Sequence, residues 1–114
     1  MLADMLISLK ASRALLHDAA DAAGDGFPDV CAAAQAEVLA SENAIKVTPD
    51  APQIHGSRGY SRDLPMERLT RDARMFAIAG GTAQILRTQM AGAILGIQTS
   101  QKRHGCANLR DKVA

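Results

Sequence analysis

The stretch MLADMLISLKASRALLHDAADAAGDG, residues 1–26, predicts a long amphipathic helix and favours an all-α fold. Its apolar residues recur at helical spacing and fall on one face: Leu2, Met5, Leu6, Leu9, Leu16 and Ala20. Gly24 and Gly26 end this helix. Pro28 fits the opening of the next one, because the first N–H of a helix has no intrahelical partner to lose. The short link predicts that the two helices are antiparallel neighbours.

The second predicted helix runs from about residue 29 to residue 48. One face carries small and apolar side chains that permit close helix packing: Val30, Ala34, Val38, Ser41 and Ile45. Pro49 and Pro52 follow, and a proline inside a helix costs about 3 kcal/mol because it removes a donor and crowds the preceding turn. We therefore expect a kink or break near residues 48–50.

Two further helices are expected in the rest of the chain. After GSRGYSRD, residues 56–63, which reads as a polar glycine-rich loop, Pro65 opens a third helix to about Ile78. Its apolar stripe is Met66, Leu69, Ala73 and Phe76 or Ala77. Thr82 starts a fourth helix to about Ile94, with Ile85, Met90, Ala93 and Ile94 available to a core. The pattern predicts one helical domain over residues 1–96 and a flexible, polar, basic tail over residues 97–114.

Composition excludes several classes of function. The chain has 114 residues, enough for one domain, and its formal charge of +1 provides no global field for nucleic acid or an anionic membrane. The apolar start is interrupted by Asp4 and lacks a basic flank, so it is neither a signal peptide nor a membrane span. Cys31 and Cys106 fit no redox or zinc spacing, and a reducing, cytoplasmic location is expected.

The titratable residues form no recognisable catalytic or metal-binding pattern. His17 and His104 have no ligand partner at helical spacing, and Cys31 lies among alanines, where a small buried side chain is expected rather than a nucleophile. The basic tail has no interleaved aromatic residues, which argues against nucleic-acid binding. The sequence thus predicts no catalytic residue and no metal site.

Two segments remain as candidates for ligand binding. QIHGSRGYSRDLPMERLTRDAR, residues 53–74, places Gln53, His55, two glycines and several arginines around one turn, and AGGTAQILR, residues 79–87, offers free N–H groups at a helix start. The first N–H groups of a helix are unpaired and lie at the positive end of its dipole, so phosphate or pyrophosphate is the ligand that this pattern suggests. The alternative is that the glycines only serve turns and that Thr82 only caps a helix.

Four motifs occur in a characteristic order along the chain: LADM at residues 2–5, Gln-x-x-Gly-x-x-Gly-Tyr at 53–60, ERLTRDAR at 67–74, and Gly-Thr-x-Gln-Ile-x-Arg at 81–87. Together they resemble the C-terminal helical domain of the flavin-dependent acyl-CoA dehydrogenases, over about residues 1–96. The resemblance implies an up-and-down helical bundle that lacks the first helix of that domain. It also implies FAD as cofactor, an acyl-CoA substrate, and a role in fatty acid metabolism.

The resemblance also assigns roles by position. It implies that Gln53, Ile54, His55, Gly56 and Ser57 approach the FAD of a neighbouring subunit, and that Thr82, Ala83 and Gln84 contact the adenosine and pyrophosphate part of FAD. Gly81 would lie beside the acyl-CoA thioester. Ser57 departs from the family pattern, which usually has a second glycine there.

Gly80 stands where many members of this family have the glutamate that takes the α-proton of the substrate. Other members supply that glutamate from the first helix of the domain, which this chain lacks. The resemblance therefore implies a fragment or truncated member that is inactive alone and that presents FAD-contacting and oligomer surface. The alternative is a non-catalytic helical module for oligomerisation or protein interaction. In either case the uncovered apolar stripe predicts a homo-oligomer.

Overall fold

A computed structural model describes residues 1–97 of the chain as six helices without a strand. The helices are α1 (Leu2–Ala23), α2 (Val30–Val47), α3 (Asp50–His55), α4 (Ser57–Tyr60), α5 (Met66–Phe76) and α6 (Ala83–Leu95). The all-α prediction is confirmed. The predicted tail, with His104 and Cys106, lies outside the described residues apart from Ile97. Within residues 1–97, no helix combines the length and the hydropathy needed to cross a bilayer.

The central element of the bundle is α2. Helices α1, α5 and α6 all pack against it, and α3 lies next to it and to α5. The buried side chains of α2 are small: Ala34, Ala36, Val38 and Ser41. Small side chains let neighbouring helices approach closely, so α2 can contact α1 and α6 along much of its length. The core is correspondingly modest, and no large side chain within residues 1–97 is completely buried.

An Asn43 side chain fixes the register between α1 and α2. Its Nδ2 donates to Ser12 Oγ at 2.9 Å and to the Ser8 carbonyl at 3.1 Å. The Ser12 hydroxyl in turn donates to the Ser8 carbonyl at 2.9 Å. These contacts join the first half of α1 to the second half of α2, which confirms the predicted antiparallel arrangement.

Four leucines of the predicted apolar face of α1 are not buried against α2. Ser8 and Ala19 are the buried residues of this helix, whereas Leu2, Leu6, Leu9 and Leu16 are 69%, 53%, 47% and 52% exposed. Within residues 1–97, α1 has α2 as its only neighbouring helix, and the face it turns to α2 is the small and polar one beside the leucines. The predicted apolar face therefore exists, but it is an open stripe rather than core.

The break at the prolines is confirmed. Helix α2 ends at Val47, Thr48 donates its N–H to the Ala44 carbonyl at 3.0 Å, and α3 begins at Asp50. Pro52 lies inside α3, but in its first turn, where backbone N–H groups have no intrahelical acceptor.

The prediction that residues 56–63 form only a loop is wrong, because Ser57–Tyr60 form α4. Gly56, with φ of 60°, turns the chain between α3 and α4. Gly59 then brings α4 against α3, since a Cβ atom at Gly59 would lie 2.4 Å from the Pro52 carbonyl oxygen. Two glycines thus make a compact helical corner, which the sequence pattern alone presented as irregular.

The last two helices, α5 and α6, lie where the sequence predicts them, but the residues that they bury differ from the predicted ones. Of the predicted stripe on α5, Ala73 is buried and Met66 is partly buried, whereas Leu69 is exposed. Of the two alternatives at its end, Phe76 is exposed and Ala77 is partly buried. On α6 the buried residues are Ala83 and Gly92. The predicted core positions Ile85, Ala93 and Ile94 are exposed, and Met90 is partly buried. The reason is that α6 packs on α2 through its smallest residues.

Candidate functional site

The first predicted cofactor segment forms the exposed corner between α3 and α4. Gln53, Ile54 and His55 make up the last turn of α3, Gly56 is the joint, and Ser57 is the first residue of α4. All five are exposed. The nearby Tyr60 side chain is 88% exposed. The corner therefore presents its side chains and its glycine backbone outward.

Ser57 fits this corner without strain. Within residues 1–97, every residue with positive φ is a glycine, so Ser57 adopts a backbone conformation open to any side chain. The left-handed joint is Gly56, one residue earlier. The replacement of the usual glycine by serine at position 57 is thus compatible with the local fold.

The second predicted segment is the turn that enters α6. Gly80 and Gly81 have φ of 79° and 126°, a region that favours glycine. Thr82 is extended and is the N-cap of α6, and its hydroxyl oxygen accepts the Ile85 N–H at 3.4 Å. Ala83 is buried and Gln84 is exposed. The predicted N-cap is confirmed. Because the two residues before it are glycines, they add no side chain over the backbone at the entry to α6.

Replacing Thr82 with valine is expected to destabilise the chain by about 1 kcal/mol, because valine keeps the shape of threonine but removes the capping oxygen. The free energy of unfolding from urea titrations, followed by circular dichroism, measures this loss. Thr88→Val is the matched control, since the exposed Thr88 hydroxyl only donates to a carbonyl of its own helix. An equal loss in both variants would contradict a capping role for Thr82.

The structure does not bring the two predicted cofactor segments together. Helix α3 follows the C-terminal end of α2, whereas Gly80 lines a groove with Val30 at the N-terminal end of α2. The 18 residues of α2 separate these ends by about 27 Å. Within residues 1–97, neither α3 nor α4 contacts α6. Each segment therefore belongs to a different end of the bundle.

Two open, mainly apolar grooves flank the N-terminal half of α2. The α1–α2 groove is lined chiefly by Leu16, Ala19, Ala20, Ala33, Ala36 and Glu37. The α2–α6 groove is lined chiefly by Phe27, Val30, Ala33, Glu37, Gly80 and Leu86. Sequence reasoning missed Phe27 and Glu37 as neighbours of the Gly80 turn. The sequence does contain a signal for Phe27. It is one of only two phenylalanines in the chain, and it lies between Gly26 and Pro28 in the link between α1 and α2, where the structure leaves it 99% exposed.

An ion pair holds α6 on α2. Arg87 Nη2 donates to Glu42 Oε2 at 2.7 Å. The hydrogen bond from the guanidinium lowers the pKa of the Glu42 carboxyl, and the carboxylate raises the pKa of Arg87. Both side chains are about half exposed, at 50% and 46%, so solvent screens the pair and its main effect is to orient α6. Sequence reasoning placed Arg87 in a family motif but did not identify its partner.

The described part of the chain offers no cluster for a metal ion. Across residues 1–97, no three His, Cys, Asp or Glu side chains come together in a way that could hold one. Cys31 is half-buried in the first turn of α2, and its Sγ accepts a hydrogen bond from Gln35 Nε2 at 3.5 Å. The predicted small buried side chain is thus only partly covered.

Comparisons with known proteins agree with the four motifs. Residues 1–95 match the family described as "Acyl-CoA dehydrogenase, C-terminal domain". The chain is 63% identical over 103 residues to 3-sulfinopropanoyl-CoA desulfinase of Paraburkholderia xenovorans. This match covers 90% of this chain and 26% of that protein. It is 43% identical over 96 residues to the probable acyl-CoA dehydrogenase FadE25 of Mycobacterium tuberculosis, covering 83% of this chain and 25% of that protein.

A solved structure gives the same result for the fold. Butyryl-CoA dehydrogenase of Megasphaera elsdenii superposes with a TM-score of 0.78 at 39% identity, covering 82% of this chain and 24% of that one. The chain thus spans about a quarter of the length of the relatives that it matches. From the family match and the shared helical architecture, the chain belongs to the acyl-CoA dehydrogenase family, where it corresponds to the C-terminal domain.

Proposed function

We propose that this chain is the C-terminal helical part of an FAD-dependent protein that acts on acyl-CoA thioesters. In this proposal it contributes cofactor-contacting and oligomer surface and no catalytic base. The observation that carries the proposal is the turn before α6, where two glycines at positive φ lead into a capped helix start. Such a start leaves backbone N–H groups for an anionic ligand, as the pyrophosphate of FAD requires.

The proposed cofactor contacts divide between the two ends of the bundle. At one end Thr82, Ala83 and Gln84 would contact FAD through the start of α6. At the other end Gln53, Ile54, His55, Gly56 and Ser57 would approach the FAD of a neighbouring subunit. The separation of the two segments along α2 supports this division. Segments at opposite ends of one helix are better placed to contact the FAD molecules of two different subunits than to form one compact FAD site. Gly81 remains the proposed neighbour of the thioester.

The names of the relatives favour a particular substrate class. Four relatives at 57% to 63% identity are named 3-sulfinopropanoyl-CoA desulfinase, whereas those named FadE25 are 43% identical. We therefore favour a thioester with a sulfinate group on C3 as substrate of the whole protein. Net removal of that group breaks the C–S bond, forms a C–H bond, and with one water releases sulfite, so no external oxidant is consumed. A glycine at position 80 is compatible with this reaction, because removal of the sulfinate group does not require a carboxylate there to take the α-proton for α,β-oxidation.

Dehydrogenation at the α and β carbons is the alternative reaction, with its base supplied from outside this chain.

A chimera distinguishes the two reactions, desulfination and dehydrogenation. Residues 1–97 would replace the matching segment of the Paraburkholderia xenovorans relative, followed by assays of FAD content, sulfite release and reduction of an electron acceptor. We expect bound FAD and sulfite release within about tenfold of the parent enzyme, a difference of about 1.4 kcal/mol in barrier. Acceptor reduction with an acyl-CoA but no sulfite release would favour dehydrogenation, and loss of FAD would contradict the proposal.

Gly80→Glu in the same chimera is expected to lower sulfite release rather than to create a dehydrogenase. The backbone at Gly80 has φ of 79°, where a side chain costs about 1–2 kcal/mol, even though space is open around the position. Ala79→Glu is the matched control, because Ala79 is exposed and has negative φ. Acyl-CoA-dependent acceptor reduction by the Gly80→Glu variant alone would contradict this expectation.

The second candidate function is a non-catalytic interaction module. The open leucine stripe of α1 favours it, since contiguous apolar surface on a small domain usually marks an interface. In both candidates we propose that the chain self-associates. A monomeric mass in light scattering at micromolar concentration would contradict self-association.

A further inference from the structure

Pro52 leaves a backbone carbonyl at the end of α2 without its regular donor. Thr48 and Pro49 keep right-handed helical dihedral angles, with φ and ψ of −64° and −34° at Thr48 and of −67° and −25° at Pro49. In a helix the Thr48 carbonyl would accept the N–H of the residue four positions later, which is residue 52. That residue is a proline and has no N–H. Thr48 is partly buried, so its carbonyl needs another donor.

A side chain of α5 supplies this donor. The Thr70 hydroxyl donates to the Thr48 carbonyl at 3.1 Å and lies 3.0 Å from the Met66 carbonyl oxygen. The Met66 carbonyl belongs to α5, where the Thr70 N–H is its regular helical partner. Within residues 1–97, no backbone N–H donates to the Thr48 carbonyl. The Thr48 carbonyl is therefore the acceptor that depends on the hydroxyl.

This hydrogen bond lies at the base of the α3–α4 corner. Helix α5 packs against α2, α3 and α4, and so reaches every element that meets there. Pro52 also supports α4, because Gly59 lies so close that a Cβ atom at Gly59 would overlap the Pro52 carbonyl oxygen. Gln53–Ser57 follow Pro52 directly. A shift of the turn from Thr48 to Pro52 would therefore shift the whole corner.

We infer that Thr70 is a positioning residue for the α3–α4 corner. Its hydroxyl takes the place of the amide that Pro52 lacks, and it thereby holds Gln53–Ser57 where FAD binding requires them. This inference rests on the proposed function and adds a residue that acts through the backbone of Thr48. Because the turn lacks one hydrogen bond of its own, its position is set from α5.

Thr70→Val in the chimera tests this role, because valine keeps the shape of threonine and removes the hydroxyl. A corner that also populates other positions binds FAD more weakly, in proportion to the fraction that stays in the competent position. We expect the FAD dissociation constant to rise about three- to tenfold, as measured by fluorescence titration of the apoprotein. Thr70→Ser keeps the hydroxyl and should bind FAD within about twofold of the wild type.

Pro52→Ala provides a test that a general loss of stability would not pass. It restores an amide at residue 52, which can donate to the Thr48 carbonyl in place of the hydroxyl. Thr70→Val in this background should therefore raise the FAD dissociation constant by less than about twofold. Ser41→Ala is the matched control, because the buried Ser41 hydroxyl donates to the Val38 carbonyl of its own helix, at 3.2 Å. Its FAD affinity should equal that of the wild type.

Hydrogen exchange in the full 114-residue chain measures the same role without a cofactor. Thr70→Val should accelerate exchange of the amides of residues 53–60 more than that of α6 amides. Unchanged FAD affinity in Thr70→Val, or an equal rise with and without Pro52→Ala, would overturn the inference. A wild-type chimera that binds no FAD would contradict the proposed function instead. In that case unchanged exchange in Thr70→Val would still overturn the role of Thr70, and faster exchange would support it.

Discussion

Replacing Gly59 with alanine is expected to lower the free energy of unfolding by about 2–3 kcal/mol and to separate α4 from α3. An added Cβ would lie 2.4 Å and 2.7 Å from the carbonyl oxygen and Cα of Pro52, and 2.9 Å from the His55 Cβ. These atoms belong to the backbone or adjoin it, so no rotamer change can relieve the overlap. Urea titration monitored by circular dichroism gives the loss in stability.

The control for this substitution is Gly26→Ala. Gly26 lies in the turn between α1 and α2, and an added Cβ would meet only one atom, the Ala23 carbonyl oxygen at 3.3 Å. A small shift of the turn accommodates that contact, so we expect a much smaller change. In the chimera, Gly59→Ala should also reduce FAD content, since the corner that it displaces carries Gln53–Ser57. Wild-type stability for Gly59→Ala would show that α3 and α4 do not pack as described.

Ala36→Leu is expected to destabilise the chain by about 2 kcal/mol because it overpacks the contact between α1 and α2. Ala36 is 5% exposed on α2, and Ala19 of α1 is similarly buried. Because Ala36 is almost fully covered, the added leucine atoms must push α1 outward or turn into the α1–α2 groove in a less favourable rotamer. Hydrogen exchange of α1 amides should accelerate more than that of α6 amides, because α6 packs on another side of α2.

Gln35→Leu provides the comparison for Ala36→Leu. Gln35 is the exposed neighbour of Ala36 on the same helix, and leucine and glutamine have similar helix propensities. Its unfolding free energy should stay within about 0.5 kcal/mol of the wild type, as for most surface substitutions. Equal losses in the two variants would mean that α1 and α2 are not closely packed at Ala36.

Sequence reasoning located four of the six helices because their signals are local. Thr82 as an N-cap, Pro65 before α5, and the prolines after Val47 act within one or two turns of the residues that they affect. The buried faces were harder to predict, because burial depends on which neighbours exist. The leucines of α1 satisfy every rule for a core face and still remain open, since α1 has only α2 beside it in the described chain.

The candidate site was predictable only where a motif identified it. The order of the motifs led to the family, and the family match confirms it. Glu37 and Phe27 escaped notice because they come near Gly80 through tertiary packing, from positions more than forty residues earlier. Periodicity within one helix contains no information about such contacts. The roles of Gln53–Ser57, Gly81 and Thr82–Gln84 stay predictions for the chimera to test.

The exposed Tyr60 gives the chain an optical reporter of its own. It is the only tyrosine in a sequence without tryptophan, so the intrinsic fluorescence excited at tyrosine wavelengths comes from a single known place. That place is the end of the corner that carries Gln53–Ser57. Quenching of this emission by a bound flavin, or its change when a partner covers the corner, would report events at that end of the bundle without any introduced label.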